Sequence, residues 1–346
     1  MMKALTWKSL GEVALVEKPR PALKLSTDAI VRVTHASICG TDVHVRDGYH
    51  PESEFGRVLG HEGVGFIEEI GESVEGFAVG DRVIVSCITV CSQCENCKRG
   101  MPGHCLDAGW QLGNTLDGLQ AEYTRIPYAT HSLHQVPPNI DEKTLVLLSE
   151  GFSSGYECGV LSGKVEPGCT VAVIGNGPVG LAAIITAQLY SPVMIIGIDI
   201  DDNRLRIASG LGADHTINAS TDNVAEIVRS LTNGRGCDTV IEAVGLPDTI
   251  DMAQDIVAIG GKVANIGVHK HAANMYLNKN WARNICNTGL VNATSTPLLV
   301  KMSAANKMRN PGPMFTHTFA FSEIEQGYKT FCNGKAESAI KLLIEF

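Results

Sequence analysis

Three groups of residues in this chain have the types and spacing to do chemistry. The first is Cys91, Cys94, Cys97 and Cys105, four thiols within 15 residues. Four thiolates can surround Zn²⁺ tetrahedrally with no open position, which makes a clamp on a loop and not a reacting centre. An iron–sulfur cluster also takes four cysteines. The Cys-x2-Cys-x2-Cys-x7-Cys spacing departs from ferredoxin patterns, however, and no proline follows Cys105. The bland alternative is unligated surface thiols, a liability when clustered. The second group is Cys39, in Cys39-Gly40-Thr41-Asp42-Val43-His44, with Gly60-His61-Glu62 some way behind it. One thiolate, one imidazole and one carboxylate would leave a fourth zinc position for water or substrate. Read singly, Cys39 fits a small buried hydrophobe equally well, and His61 a hydrogen-bonded polar residue.

The third group is the loop Gly175-Asn176-Gly177-Pro178-Val179-Gly180. It follows an apolar run and opens an apolar helix, so backbone amides at the helix start can hold a pyrophosphate. Asp199 ends the next apolar run, 19 residues beyond Gly180. A carboxylate there accepts from the ribose hydroxyls of NAD and repels a 2′-phosphate, and Asp201 and Asp202 add to that repulsion. The alternative for Asp199 is an ordinary solvated strand end. An open metal site, a closed one and a dinucleotide cradle on one chain point to metal-assisted hydride transfer.

These residues need elements to place them. The first ~150 residues carry short β-branched runs punctuated by glycine, among them Ala29-Ile30-Val31-Arg32-Val33, Gly63-Val64-Gly65-Phe66-Ile67 and Asp81-Arg82-Val83-Ile84-Val85. They read as strands of a compact, barrel-like β domain. From about Cys169 the rhythm changes. Strands are expected at 170–174, 193–198, 238–244 and 262–268, with a helix from the glycine loop through Leu189 and further helices between. Such alternation predicts a parallel sheet with right-handed crossovers.

At 346 residues the chain has room for two cores. A formal net charge of −9 argues against a nucleic-acid footprint. The N-terminus, Met1-Met2-Lys3-Ala4-Leu5-Thr6-Trp7-Lys8, lacks the apolar stretch of a signal peptide, and no run approaches the ~18 apolar residues of a membrane span. A cytoplasmic protein with reduced thiols is expected.

The motifs together resemble the zinc-dependent medium-chain alcohol dehydrogenases over essentially the whole chain. The resemblance rests on Cys39 to His44, Gly60-His61-Glu62, the four-cysteine lobe, Glu150-Gly151-Phe152-Ser153-Ser154-Gly155-Tyr156, the glycine loop and Thr316-His317. Its closest texture, through Ala108-Gly109-Trp110 and Asp117-Gly118, is that of the microbial secondary-alcohol branch. It implies an α/β protein whose doubly wound Rossmann sheet is inserted into a β-rich, chaperonin-10-like catalytic domain. The catalytic domain would comprise 1–153 and 291–346, with a structural zinc lobe at 87–110, and the Rossmann domain 154–290. The active site would lie between the two.

The resemblance also implies roles. Cys39, His61 and Glu150 become ligands of a catalytic zinc, with Glu62 close enough to ligate in the substrate-free state. Cys91, Cys94, Cys97 and Cys105 hold a structural zinc. Asp42 holds the imidazole ligand in its working tautomer. Zinc lowers the pKa of a hydroxyl to about 7, and Thr41 and His44 form the proton relay; as alternatives they are a helix N-cap and an exposed helical residue. Gly175, Gly177, Pro178, Val179, Gly180, Asp199, Arg204, Ser154 and Val268 become cofactor contacts. NAD is favoured over NADP, because NADP-linked secondary-alcohol enzymes carry Gly-Ser-Arg where this chain has Asp199-Ile200-Asp201. Cys87, Trp110 and Leu290 line the substrate pocket. The small Cys87 leaves room for a second substituent, so secondary alcohols are expected; packing in the core is the alternative for Cys87 and Trp110. A polyol or butanediol dehydrogenase is the rival within the family, and a zinc-free quinone reductase or non-catalytic dinucleotide-binding protein the rival outside it. A homotetramer is implied, or a homodimer, with a strand at 285–292 pairing across the dimer.

Overall fold

The computed structural model describes residues 1–283 and 291–346. They fall into two compact units. One comprises Met1–Glu150, Asn292–Ala305 and Phe315–Phe346; the other comprises Gly151–Val291 and Asn306–Met314.

The first unit opens with an antiparallel hairpin, Met2–Ser9 against Glu12–Lys18. Its main sheet has the order Phe315–Ala320, Lys341–Glu345, Ala29–Ser37, Gly63–Ile70, Arg82–Val85, Leu133–Gln135, and Tyr123–Ile126 also pairs with Ala29–Ser37. The β-branched runs read from the sequence are these strands. Their inward faces supply Val31, Val33, Ile67, Val83 and Val85, which pack with Leu119 and Ile126 into one core. The C-terminal strand Lys341–Glu345 lies antiparallel to Ala29–Ser37, a pairing between segments remote in the sequence.

One strand residue carries a pH-dependent cost. His134 faces Ile84 across the pair Arg82–Val85 and Leu133–Gln135, and its Nε2 is buried with no partner. Burial drives its pKa down to about 4. A histidine held neutral in the folded state but free to charge when unfolded contributes stability above the unfolded value, and that stability is lost as pH falls toward the folded one. Between about pH 6.5 and 4 the loss reaches roughly 3 kcal/mol. The expected outcome is that His134→Leu flattens the fall in melting temperature between pH 7 and 4.5 without lowering it at pH 7.

The second unit holds five described strands in the order His215–Asn218, Met194–Asp199, Thr170–Ile174, Cys237–Glu242, Val257–Asn265. All neighbours pair in parallel. In chain order this is 3-2-1-4-5, the doubly wound arrangement in which ligands bind where the order reverses, outside the carboxyl ends of strands 1 and 4. Helices Pro178–Ala187, Asp202–Gly210, Val224–Leu231 and Pro247–Ile256 connect them. Two of these start on side-chain caps: Asp201 accepts from the Asn203 and Arg204 amides, and Asn223 from that of Glu226. Ile174, Ile196, Ile198, Val228, Val240 and Val263 fill the core.

Several boundaries differ from expectation; the strand expected at 238–244, for one, runs Cys237–Glu242, and that expected at 193–198 runs Met194–Asp199. The helix after the glycine loop ends at Ala187 and tightens into a 3₁₀ turn at Gln188–Tyr190, whose Gln188 Nε2 donates to the Ile184 and Leu211 carbonyls. The last strand of this sheet in chain order starts at Val257, five residues early, and continues through a register shift between Val257 and Lys262, a stretch that includes Gly260 with φ +76°. It stops at Asn265 because the Ile266 and Gly267 amides both turn to the Glu242 carbonyl. The strand expected at 285–292 lies mostly, and Leu290 wholly, outside the described residues. Among the described residues no helix is long and apolar enough to cross a membrane.

Candidate active site

Cys39 is the N-cap residue of the helix Gly40–Arg46, and its amide donates to Asp42 Oδ2 at 2.9 Å. His61 precedes the strand Gly63–Ile70. Gly60 before it has φ +93°, and a Cβ there would come within 2.9 Å of the Gln120 amide nitrogen, so only glycine brings the chain this close. Glu150 caps the C-terminus of the helix Glu142–Ser149. Three remote stretches thus converge: Cys39, His61 and Glu150 offer ligand atoms all within 4.8 Å of one another. Thiolate, imidazole and carboxylate at that spacing fit a zinc ion with one open position.

The surroundings suit a cation. His61 Nδ1 lies 3.1 Å from Asp42 Oδ1, which leaves Nε2 free for a metal. Burial alone would lower the His61 pKa, but the Asp42 carboxylate, helped by Cys39, raises it well above the usual value. Glu62 takes a different partner. Its carboxylate pairs with the Lys341 ammonium, and both are buried. Burial would raise the Glu62 pKa, yet Lys341 and His61 hold it below the ordinary value; burial would lower that of Lys341, yet Glu62 and Cys39 hold it up. Lys341 has a faint sequence signature, a single cation inside the apolar run Ile340-Lys341-Leu342-Leu343-Ile344.

Thr41 and His44 sit half-buried, three residues apart on the helix Gly40–Arg46, and so share a face. Cys87 is buried, and its amide donates to the Ser149 carbonyl, next to Glu150. Trp110 meets the His61 ring edge-on at 6.1 Å and the His50 ring at 4.7 Å. Trp110 also packs on the core around Ile38 and Leu59, so its core and pocket readings coincide. His50, which carries no motif of its own, leans on Glu52, 3.5 Å from its Nδ1.

The four-cysteine lobe closes as a set of its own, with all four sulfur atoms within 4.8 Å. Cys91 and Cys97 are 4.0 Å apart, and Cys94 and Cys105 3.9 Å. Tetrahedral zinc with Zn–S bonds of about 2.3 Å needs sulfurs about 3.8 Å apart. Amides of Gln93 and Cys94 donate to Cys91, and that of Leu106 to Cys94. The Leu106 and Cys97 amides bring Cys94 down to about 6, while burial and its neighbouring thiols push Cys97 up to about 12. Four crowded sulfurs cannot all ionise without a cation among them.

In the second unit the glycine loop turns between strand Thr170–Ile174 and helix Pro178–Ala187, with Gly177 as N-cap and Pro178 in the first turn. A Cβ on Gly180 would sit 1.8 Å from the Gly175 carbonyl oxygen, whereas one on Gly177 would meet nothing within 4 Å. The turn is therefore tight inside and open above Gly177, a cradle that suits a pyrophosphate at the helix start. Asp199 ends its strand with a carboxylate fixed by backbone: Oδ1 accepts from Ile200 and Asp201, and Oδ2 from Asn176. Arg204 Nη1 stands 3.8 Å from Asp199 Oδ2. Val268 is exposed, and its carbonyl oxygen abuts Gly245, just past strand Cys237–Glu242. Ser154 is buried on the helix Gly151–Ser154.

A β-rich unit with an open donor set, joined in one chain to a doubly wound sheet with a dinucleotide cradle, defines an oxidoreductase of the alcohol dehydrogenase type. Residues 26–138 match the alcohol dehydrogenase GroES-like domain, and residues 178–301 the zinc-binding dehydrogenase family. The chain belongs to the zinc-dependent medium-chain alcohol dehydrogenases. It is 32% identical over 367 residues to an alcohol dehydrogenase of Cupriavidus necator, covering 100% of this chain and 99% of that one. It is 32% identical over 274 residues to the sorbitol dehydrogenase of Bacillus subtilis, covering 77% and 75%. Among solved structures it is similar to the apo form of zinc-dependent alcohol dehydrogenase 2 from Streptococcus pneumonia. That match has a TM-score of 0.95 at 44% identity and covers 100% of this chain and 98% of the other.

Proposed function

We propose that this enzyme interconverts secondary alcohols and ketones with NAD, using one catalytic and one structural zinc per chain. The observation that carries the reading is the meeting of Cys39, His61 and Glu150 within 4.8 Å, with Trp110 against His61 and Cys87 beside Glu150's neighbour. When bound, zinc supplies a Lewis acid that lowers the pKa of an alcohol hydroxyl toward neutrality, and NAD supplies the hydride acceptor. The protein does the rest. Cys39 and Glu150 bring two negative charges, which balance the metal without quenching it. Asp42 keeps His61 in the Nδ1–H tautomer. Thr41 Oγ1 would accept the substrate proton as it gives up its own hydroxyl proton, and His44, one turn along the helix, would carry a proton outward. The thiol at Cys87 leaves space for the second carbon substituent, and Trp110 walls it.

In the second unit, Gly175, Gly177, Pro178, Val179 and Gly180 seat the pyrophosphate. Asp199 takes the ribose hydroxyls and disfavours a 2′-phosphate, with Arg204, Ser154 and Val268 as further cofactor contacts. The four cysteines hold the structural zinc and require reduced thiols, which supports a cytoplasmic setting. Resemblance to short microbial members supports a homotetramer. Similarity to a sorbitol dehydrogenase favours a second reading, in which the substrate is a polyol. One assay tests both. Elemental analysis should return two zincs per chain, and kcat/KM with NAD should rank 2-butanol above ethanol and above sorbitol, with NADP far weaker. Sorbitol ahead of 2-butanol would establish the polyol reading, and no zinc with no turnover would remove both.

A further inference from the structure

We infer that Gln120 and Tyr328 are positioning residues for the metal ligand His61. The inference rests on the proposed reading that His61 binds zinc. Tyr328 Oη donates to Gln120 Oε1 at 2.8 Å. Gln120 Nε2 donates to Asp42 Oδ2 at 3.2 Å and to the Ser37 carbonyl at 3.1 Å. Asp42 Oδ2 also accepts from the Cys39 amide at 2.9 Å, and Asp42 Oδ1 faces His61 Nδ1 at 3.1 Å. Every side chain of this relay is buried: Tyr328 is 2% exposed, Gln120 0%, Asp42 1% and His61 3%.

Each link has a defined direction. The phenol is held protonated by burial, so it donates. Its proton selects the carbonyl end of the Gln120 amide, which turns both N–H bonds of Nε2 onto the two acceptors, Ser37 O and Asp42 Oδ2. A flipped amide would set its oxygen against both acceptors and leave Tyr328 facing N–H. With Oδ2 occupied by two donors, Asp42 turns its other oxygen to His61 Nδ1, 3.1 Å away. A carboxylate at that distance favours the Nδ1–H tautomer and draws the ring toward one orientation. Backbone contacts make the placement rigid: the Gln120 amide donates to the Leu59 carbonyl and the Leu119 amide to that of Gly60, the residue before His61. Gln120 sits as a lone polar residue between Leu119 and Ala121, and Tyr328 lies 208 positions further along the chain. The helix Ile324–Cys332, late in the chain, thereby takes part in holding a ligand from the N-terminal half.

The test uses the zinc-loaded full chain and measures zinc release to a chelator, resolved into its two sites, for wild type, His61→Ala, Gln120→Leu, Tyr328→Phe and the Gln120→Leu/Tyr328→Phe pair. Outer partners of ligating histidines are worth about 10- to 100-fold in metal affinity. Gln120→Leu should weaken one site by that factor and leave the other unchanged. Tyr328→Phe, which keeps the ring packing, should weaken the same site by roughly 10-fold or less. The pair should behave like Gln120→Leu alone, because the two residues act through one bond. Cobalt in the weakened site should show a shifted visible absorption band, which loss of packing elsewhere would not produce. Unchanged zinc release from the Gln120 and Tyr328 variants, with His61→Ala losing one zinc, overturns the relay alone. Retention of both zincs by His61→Ala overturns the metal reading, and the relay with it.

Discussion

Replacing Glu150 with alanine is expected to lower kcat/KM for 2-butanol by about a thousand-fold and to reduce the zinc content from two per chain to one. Glu150 supplies the only carboxylate in the three-residue donor set. Without it, Cys39 and His61 alone face the ion, and two ligands hold zinc poorly. A Lewis acid contributes several kcal/mol of charge stabilisation, and about 4 kcal/mol corresponds to about a thousand-fold in rate. Glu150 lies at a helix end and is only half-buried, so the fold should survive. Glu150→Cys restores an anionic ligand and should recover the second zinc and part of the rate. Elemental analysis beside steady-state kinetics decides the matter, and full activity with two zincs in Glu150→Ala would exclude Glu150 from the site.

The second large effect concerns stability. Lys341 is 1% exposed and Glu62 0%. Breaking a buried ion pair from one side leaves the other charge without compensation, at a cost of about 3–5 kcal/mol. Lys341→Met should therefore lower the melting temperature of the first unit by roughly 10 °C, at about 2–4 °C per kcal/mol for a unit of this size. Glu62→Gln added to Lys341→Met removes the stranded charge and should recover most of the loss. A melting temperature within 2 °C of wild type for Lys341→Met alone would show that Lys341 does not sustain Glu62.

Much of this was legible in the residues themselves. The four cysteines needed no fold to be read as a candidate metal set, because all four lie within 15 residues. The glycine loop was equally legible: its spacing, the apolar run before it and Asp199 after it are all local, and the βαβ unit places them through short connections. Strand runs such as 29–33 and 63–67 followed from β-branched composition. The boundaries at Ala187 and Val257 did not, since a helix end and a strand start depend on which acceptors the neighbours present.

The open site was legible only as parts. Cys39, His61 and Glu150 were nameable from their motifs, but local spacing says nothing of whether a residue 111 positions beyond Cys39 returns to it. The chain alone determined which donors exist, how the cofactor loop turns and where the thiol cluster lies, because each depends on neighbours a few residues away. Only the tertiary structure decided which partner each buried polar group takes. Of two adjacent residues, His61 meets Cys39 and Glu150, while Glu62 meets Lys341. Tyr328, on the helix Ile324–Cys332, meets Gln120, on a bend 208 positions earlier, and Gln120 in turn meets Asp42. The physical reason is that a buried charge or amide must be satisfied, and its partner is chosen by sheet pairing across the whole unit, information that no local pattern of residues contains.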